Sequence, residues 1–466
     1  MKKCSVLLAA VFAVASLRAA TVEQVIVRQQ WPWSTDVKIE YMLSGVDASQ
    51  PVDISIKAFN GETEIDSSRI ASAVSGDVYG VTEAVGTIIL DPVKAFGTER
   101  VAFDRFRVKL SAENSSESSQ EVLYRIVDLQ TKEVTEVKRG DILNGLYGSF
   151  ETDFSFVGTT SLTNVLIWTG VTNDVKYMTT HLVLRKIPVA NEIHYLGPNE
   201  STFDGVTTPA AQRPVKLTKN YWMGVFEVTQ DQMNRIYPEC KRKSSFSNSD
   251  YAATRPAEDI YYYDMRGWSA EANSWSNGAD YATARHVDSD SFFGKLRALL
   301  DDDRYDLPTE AQWEIACRAG TTNHFYTGAN SPETYVSAYV SINFGRYKWN
   351  GGRSDGRNTS APEPDAATVD TTRGTAKVGS YLPNAYGLYD MCGNVGESCL
   401  DWNFTHTASE TLEIDPMGGV ASSSNRIVRG GNWDSYASGL RCGSIGLQNP
   451  GAHKKTTGFR ICLTEE

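Results

Sequence analysis

Three short runs in the N-terminal part of the chain alternate apolar and polar side chains with a period of two. They are Val52-Asp53-Ile54-Ser55-Ile56, Phe106-Arg107-Val108-Lys109-Leu110 and Val122-Leu123-Tyr124-Arg125-Ile126. A strand sends successive side chains to opposite faces, so each run buries one face and wets the other. Ser49-Gln50-Pro51, Asn60-Gly61 and the polar stretch from Glu113 to Gln120 separate the runs as turns. With no long 3.6-residue period between them, residues 21–129 are expected to form an immunoglobulin-like β-sandwich. Trp31-Pro32-Trp33 is expected to pack in its core or at its edge.

Residues 130–180 hold Gly, Thr, Asn and Asp punctuation around one apolar strand, Asn164-Val165-Leu166-Ile167-Trp168, and read as a connector. His181-Leu182-Val183-Leu184-Arg185-Lys186-Ile187-Pro188 then opens a new strand and a second domain, 181–466. A chain of 466 residues exceeds one ordinary core, which agrees with this division. The second domain mixes strands with a few helices, so the whole is expected to be α+β. Two helix starts are explicit: Thr229 with Gln232, and Thr309 with Gln312, each have capping-box spacing. The second helix should stop at Gly320 and place Trp313, Ala316 and Cys317 on one buried stripe.

Residues 1–20 have the order of a secretory signal: Lys2 and Lys3, an apolar run from Ser5 to Leu17, then Ala19 and Ala20. That run is too short to span a bilayer, so no membrane span is expected and the chain should be secreted, periplasmic or on the cell surface. A net charge of -12, more negative once Lys2, Lys3 and Arg18 are removed, argues against nucleic acid as a partner. Six cysteines remain after such a cleavage, Cys240, Cys317, Cys392, Cys399, Cys442 and Cys462, an even set that favours disulfides in an oxidising compartment.

Five motifs follow in order through the second domain. They are YWMGVFEVTQDQM from Tyr221, RPAEDIYYYD from Arg255, YDLPTEAQWEIACRAGT from Tyr305, NAYGLYDMCGNVGESCLDW from Asn384, and RGGNW from Arg429 with its closing GFR at Arg460. Together they resemble the formylglycine-generating enzymes, or sulfatase-modifying factors. The resemblance implies a variant of the C-type lectin-like fold over roughly His181 to Cys462.

It also implies calcium as a structural ion, held by the side chains of Asp390 and Glu397 and the carbonyls of Gly393 and Val395, since calcium takes six to eight hard oxygens. A second implied site uses Asn343 and Asp370. A disulfide from Cys317 to Cys442 is implied as well. Cys392 and Cys399 flank the calcium loop and are candidates to staple it, while Cys462 has Cys240 as a candidate partner.

Active members of that family bind copper(I) with two cysteines and oxidise a cysteine of a sulfatase. Here Ser435 stands at the first of those cysteines, and the shortened run Tyr436 to Leu440 offers no counterpart of the second. Asn432 replaces a serine and Gly396 a tryptophan beside the site. Copper is therefore not expected, because hydroxyls do not reproduce a soft two-sulfur site. The six histidines show no i, i+4 pair and neither GxSxG nor HExxH occurs, which argues against iron and against hydrolysis.

The remaining expectation is a noncatalytic module that binds a protein or glycan through Asn432, Trp433, Ser435, Tyr436, Gln448 and Asn449, residue types that combine rigid aromatic area with adaptable hydrogen bonds. Two other readings stay open: a metal-dependent oxidoreductase with relocated ligands, and a lectin-like binding protein diversified by a retroelement.

Overall fold

The computed structural model describes residues 20–30, 32–46, 48–97, 103, 105–152, 154–155, 161–162, 165–197, 201–203, 206–208, 212–247, 251–267, 286–327, 345–348, 374–403, 411–417 and 425–466. Residues 1–19 of the expected signal segment, Trp31, Asn343 and Asp370 lie outside the described residues. The chain divides into two compact units, Met1–Glu121 with Lys138–Leu146, and Val122–Val137 with Tyr147–Glu466.

Alternation builds the first unit. One antiparallel sheet has the order Thr21–Gln29, Val37–Ser44, Val85–Leu90, Val74–Gly76, and a second has Thr63–Glu64, Val52–Asn60, Phe106–Asn114. Ile39, Tyr41 and Leu43 from one sheet and Val52, Ile54, Ile56 and Ala58 from the other bury every second side chain in one shared cluster. Gly86 pairs with Tyr41, and a Cβ there would sit 2.3 Å from the Tyr41 ring, so this crossing needs glycine. The Arg139–Leu143 helix ends at Asn144, whose amide accepts from Tyr79 N at 2.9 Å and donates to Tyr79 O at 2.8 Å, binding the returning segment to this unit. Trp33 does not pack: it is 87% exposed.

The boundary expected at 129 falls elsewhere. Val122–Asp128 pairs with His181–Ile187, with Ile126 opposite Val183, inside the sheet of the second unit. Its side chains explain why: Leu123, Tyr124, Ile126 and Val127 are all buried, so both faces are covered and the strand suits the middle of a larger sheet. Most of the expected connector is also part of this unit, whereas its Lys138–Leu146 stretch belongs to the first. Trp168 is buried among Tyr124, Tyr147 and Tyr177 in edge-to-face contacts with centroids 5.0 to 5.5 Å apart.

The second unit centres on a six-stranded sheet, Tyr305–Asp306, Cys462–Thr464, Tyr221–Gly224, His181–Ile187, Val122–Asp128, Val134–Lys138. A four-stranded sheet, Gly446–Gln448, Arg426–Arg429, Gly396–Trp402, Thr457–Gly458, carries the C-terminal motifs. Helices Gln230–Ile236 and Glu310–Arg318 begin with the two expected capping boxes, the Thr229 and Thr309 hydroxyls accepting from the Gln232 and Gln312 amides at 3.2 and 3.1 Å. The Glu310–Arg318 helix is buried on every side rather than along one stripe, and Ala319 takes the left-handed position with φ 44° just before Gly320. With long loops between short strands, this unit has the sparse regular structure of the fold implied for it.

Candidate functional site

The stretch from Asn384 to Glu397 is shaped by its own side chains. Asn384 accepts from the amides of Tyr386 and Leu388, both at 3.1 Å, and donates to the Ala316 carbonyl at 2.7 Å, fixing the loop to the end of the buried helix. Asp390, Gly393 and Asn394 have φ of 58°, 94° and 58°. A Cβ on Gly393 would lie 2.1 Å from the Arg346 carbonyl oxygen, so glycine is required by space as well as by conformation.

Three buried carboxylates converge there. Glu227, which the sequence reading passed over inside YWMGVFEVTQ, accepts from Val395 N at 3.0 Å and from Asn394 Nδ2 at 2.6 Å. Asp390 accepts from Gly379 N at 2.6 Å through Oδ2, while Oδ1 is buried with no hydrogen-bond partner. Glu397 has both oxygens engaged: Oε2 by Trp313 Nε1 at 2.7 Å and Arg460 Nε at 2.9 Å, Oε1 by Arg460 Nη2 at 2.6 Å.

One guanidinium, Arg460, faces this group, and it is also held by the carbonyls of Gly224, Val225 and Tyr389. Burial, with the neighbouring Glu397 charge, pushes the Asp390 carboxyl up to about 7 against the pull of Gly379 N–H and Arg460. Burial, then Asp390 and Glu397, raise Glu227 well above its ordinary range.

These contacts test the implied calcium ligands. Asp390 fits a hard cation, having a buried oxygen without a partner in a negative environment. The Glu397 side chain does not, because Trp313 and Arg460 occupy it. Among the described residues no group of three or more His, Cys, Asp or Glu side chains is arranged to hold a metal ion, so an ion here would draw on backbone oxygens as well.

The stretch from Gly430 to Ser435 is a tight turn. Gly430 and Gly431 have φ of 86° and 68°, and a Cβ on Gly431 would meet the Gly439 carbonyl at 2.6 Å, which shows how closely the shortened run folds back. Ser435 Oγ accepts from Asn432 N at 3.1 Å and Asn432 Oδ1 accepts from Asp434 N at 2.9 Å. Trp433 is only 2% exposed: its indole donates to the Lys455 carbonyl at 2.9 Å and meets Phe246 edge-on. Its amide donates to the Asn394 carbonyl at 2.9 Å and so joins this turn to the carboxylate loop. Gly396 has no room for a larger side chain, since a Cβ would lie 2.6 Å from Val428 Cγ1.

Of the six expected recognition residues, Asn432, Ser435 and Tyr436 share the turn, and Tyr436 is 51% exposed beneath the Lys348 ammonium at 4.5 Å. Trp433 anchors the turn from inside. Gln448 is buried and donates to Ala452 O at 2.9 Å, and Asn449 accepts from Gly451 N at 2.8 Å, so both serve a separate turn.

All six described cysteines are buried, and none of them is joined in a disulfide. Cys392 lies with Cys317 and Cys442, away from the pairing with Cys399 considered above. Cys240 belongs to a different apolar cluster from Cys462, so that candidate pair is not brought together.

Residues 191–465 match the family described as sulfatase-modifying factor enzyme 1-like domain. The formylglycine-generating enzyme of Bos taurus is 33% identical over 158 residues, which are 33% of this chain and 37% of the bovine protein. The serine/threonine-protein kinase pkn1 of Chlamydia pneumoniae is 37% identical over 155 residues, 33% of this chain and 20% of that kinase. The alignments thus span well under half of these curated relatives. Among solved structures, Treponema denticola variable protein 1 is 23% identical with a TM-score of 0.43, covering 61% of this chain and 96% of its own. PvdO from Pseudomonas aeruginosa is 20% identical with a TM-score of 0.40, covering 61% and 94%.

Proposed function

This chain belongs to the sulfatase-modifying factor family, and on that premise we propose that it is an exported, calcium-stabilised member that binds a protein or a glycan instead of oxidising a peptide cysteine. The observation that carries the reading is the burial of every described cysteine, together with a sulfur-free turn at Ser435. Copper-dependent oxidation of a substrate thiol needs two soft ligands that the substrate can approach. Here the Ser435 hydroxyl oxygen accepts from the Asn432 amide.

The accessible chemistry of the turn is the Tyr436 ring, the Lys348 ammonium and the Asp434 carboxylate, with Lys348 Nζ 3.9 Å from Asp434 Oδ1. An aromatic face beside paired charges suits a polar peptide or a sugar. Export is supported by the order of charges, apolar run and small residues in 1–20. Among the described residues no helix is long and apolar enough to cross a membrane.

The test is incubation of the purified protein with copper(I), oxygen and a peptide carrying a sulfatase-type cysteine. The peptide should keep its mass, and appearance of formylglycine would overturn the proposal. Calcium is tested separately by thermal unfolding. Added calcium should raise the midpoint of the wild type and have a much smaller effect on D390N. An equal response of the two proteins would remove Asp390 from the ion's ligands.

A further inference from the structure

Two basic runs, Lys241-Arg242-Lys243 and His453-Lys454-Lys455, lie far apart in a chain whose net charge is -12, with 211 positions between Arg242 and His453. The second unit brings them together on Asp259. Arg242 donates from Nε to the Asp259 carbonyl at 3.2 Å and from Nη2 to Oδ2 at 3.1 Å, and His453 Nδ1 lies 2.6 Å from Oδ1. The Asp259 amide donates to the Lys454 carbonyl at 3.0 Å, with φ of 61° in the left-handed region. The Tyr261 ring backs the junction, with Arg242 over it at 5.6 Å and His453 against it edge-on at 4.9 Å.

Four ammonium groups remain at the surface. Lys241, Lys243, Lys454 and Lys455 are exposed, and among the described residues none of them is in an ion pair. Lys243 and Lys454 donate to neutral oxygens, of the Asn234 side chain and the Leu447 carbonyl, each at 3.2 Å. Lys455 Nζ stands over the Trp433 ring at 5.2 Å, so the patch continues into the turn that carries Tyr436 beside Lys348. The described acids of these segments do not cancel it. Glu258 is buried, Asp259 is engaged by Arg242 and His453, Asp264 accepts from the Tyr261 amide at 3.0 Å, and Asp434 lies 3.9 Å from Lys348, which leaves Glu239 as the exposed one.

We infer that this face binds an anionic polysaccharide, with sulfate or carboxylate groups repeated along its length, running from Lys241 and Lys243 across Lys454 and Lys455 toward Tyr436. The inference rests on the reading of the Tyr436 turn as a recognition surface and names its ligand class. A local cluster of cations attracts a polyanion that the acidic chain as a whole repels. The use of lysine favours a polymer over an acidic peptide. A guanidinium fork suits bidentate capture of one carboxylate, and the arginine of the patch, Arg242, is already held by Asp259. Ammonium groups on flexible stems are point charges, able to meet repeated anions without a fixed geometry. The half-exposed ring of Tyr436 adds an apolar face for a sugar ring.

The test titrates the full chain into fluorescein-labelled dextran sulfate, polygalacturonate and neutral dextran, read by anisotropy at several salt concentrations, with poly-glutamate and duplex DNA as competitors. At least one of the two anionic glycans should bind, the preferred one telling sulfate from carboxylate, and its affinity should fall as salt rises. The variant K241Q/K243Q/K454Q/K455Q should weaken binding by about tenfold or more. The same change of charge elsewhere, K57Q/K94Q/K109Q/K219Q, should leave it within about twofold. All eight positions are exposed, so both variants should fold. Equal losses in the two variants, indifference to salt, failure of both anionic glycans to bind, or stronger binding of poly-glutamate or DNA than of either would overturn the inference. A protein that binds neutral dextran and neither polyanion would lose this inference and keep the glycan reading. Formylglycine in the copper(I) assay would instead strike the noncatalytic reading and leave the binding result standing.

Discussion

The two units solve the same problem with different materials. In the first, the core is aliphatic and aromatic side chains from alternating strands, and Ser119 is the one buried polar residue among those described. In the second, Arg213, Arg255, Arg266, Arg346, Arg426, Arg429 and Arg460 are all fully buried. Sheet ladders pair their own amides and carbonyls, whereas buried irregular loops leave carbonyls that something else must satisfy.

A guanidinium brings five donors in a fixed fork, which suits that task. Arg460 bonds the carbonyl of Gly224 at a strand end and those of Val225 and Tyr389 in loops, and Arg429 reaches the carbonyls of Cys442 and Ser444 at 3.2 and 3.1 Å while pairing with Glu314 at 2.8 Å. Regular strands thus make a core from shape, and sparse secondary structure makes one from charge.

Substitutions can break this contrast or sharpen it. The largest effect should come from R460M, which leaves the Glu397 carboxylate buried without its cation and three carbonyls without a donor. A loss of about 3–5 kcal/mol is expected in urea unfolding, with hydrogen exchange assigning the loss to the second unit. A cost below about 1 kcal/mol would mean that charge is incidental to this core.

In the first unit I88V removes one buried methylene from the sheet centre and should cost about 0.5–1.5 kcal/mol, read by exchange of the Val37–Ser44 amides.

A third effect is a pH dependence. Burial raises the Glu258 carboxyl to about 8, and its Oε2 has no hydrogen-bond partner. The folded state therefore binds this proton more tightly than the unfolded state, whose carboxyl titrates near its ordinary value of 4.5. The contribution to stability is complete below that value and is lost as pH rises through about 8. The variant E258Q, neutral throughout, should gain on the wild type as pH is raised from about 5 to about 9, and a constant difference would place the proton elsewhere. The smallest effect belongs to Y436A, within about 0.5 kcal/mol, since its ring is largely exposed. A large loss there would show that the turn is held from outside as well as by Trp433.

The same contrast decides what was legible in the sequence. Val52 to Ile56 and Phe106 to Leu110 fell into strands as their alternation required, because local period is enough when one face is buried. The capping boxes at Thr229 and Thr309 were legible for the same reason, since spacing within four residues defines them. Val122 to Ile126 misled because its polar-looking Arg125 stacks over Trp222 at 4.5 Å instead of marking a solvent face. In the site, the loop that bears Asp390 and Gly393 and the turn that bears Ser435 were legible by position, each along its own motif. Glu227 was not, because it reaches Asn394 and Val395 across more than 160 residues of chain. The capture of Glu397 by Arg460 and Trp313 joins three separate motifs, and no local spacing reports it.

The division of the chain also sets an order of events during synthesis. The first unit includes Lys138–Leu146, so its last helix leaves the ribosome only after the Val122–Val137 hairpin of the second unit has already emerged. That hairpin must then wait for His181–Ile187, its neighbour in the sheet, and for Tyr221–Gly224 beyond it. At about 5–20 residues per second the wait is on the order of seconds, during which the apolar side chains of Leu123, Ile126 and Val127 lack their final cover. A ribosome-stalled nascent chain ending before His181 should therefore be a better client for chaperones than one extended past Gly224.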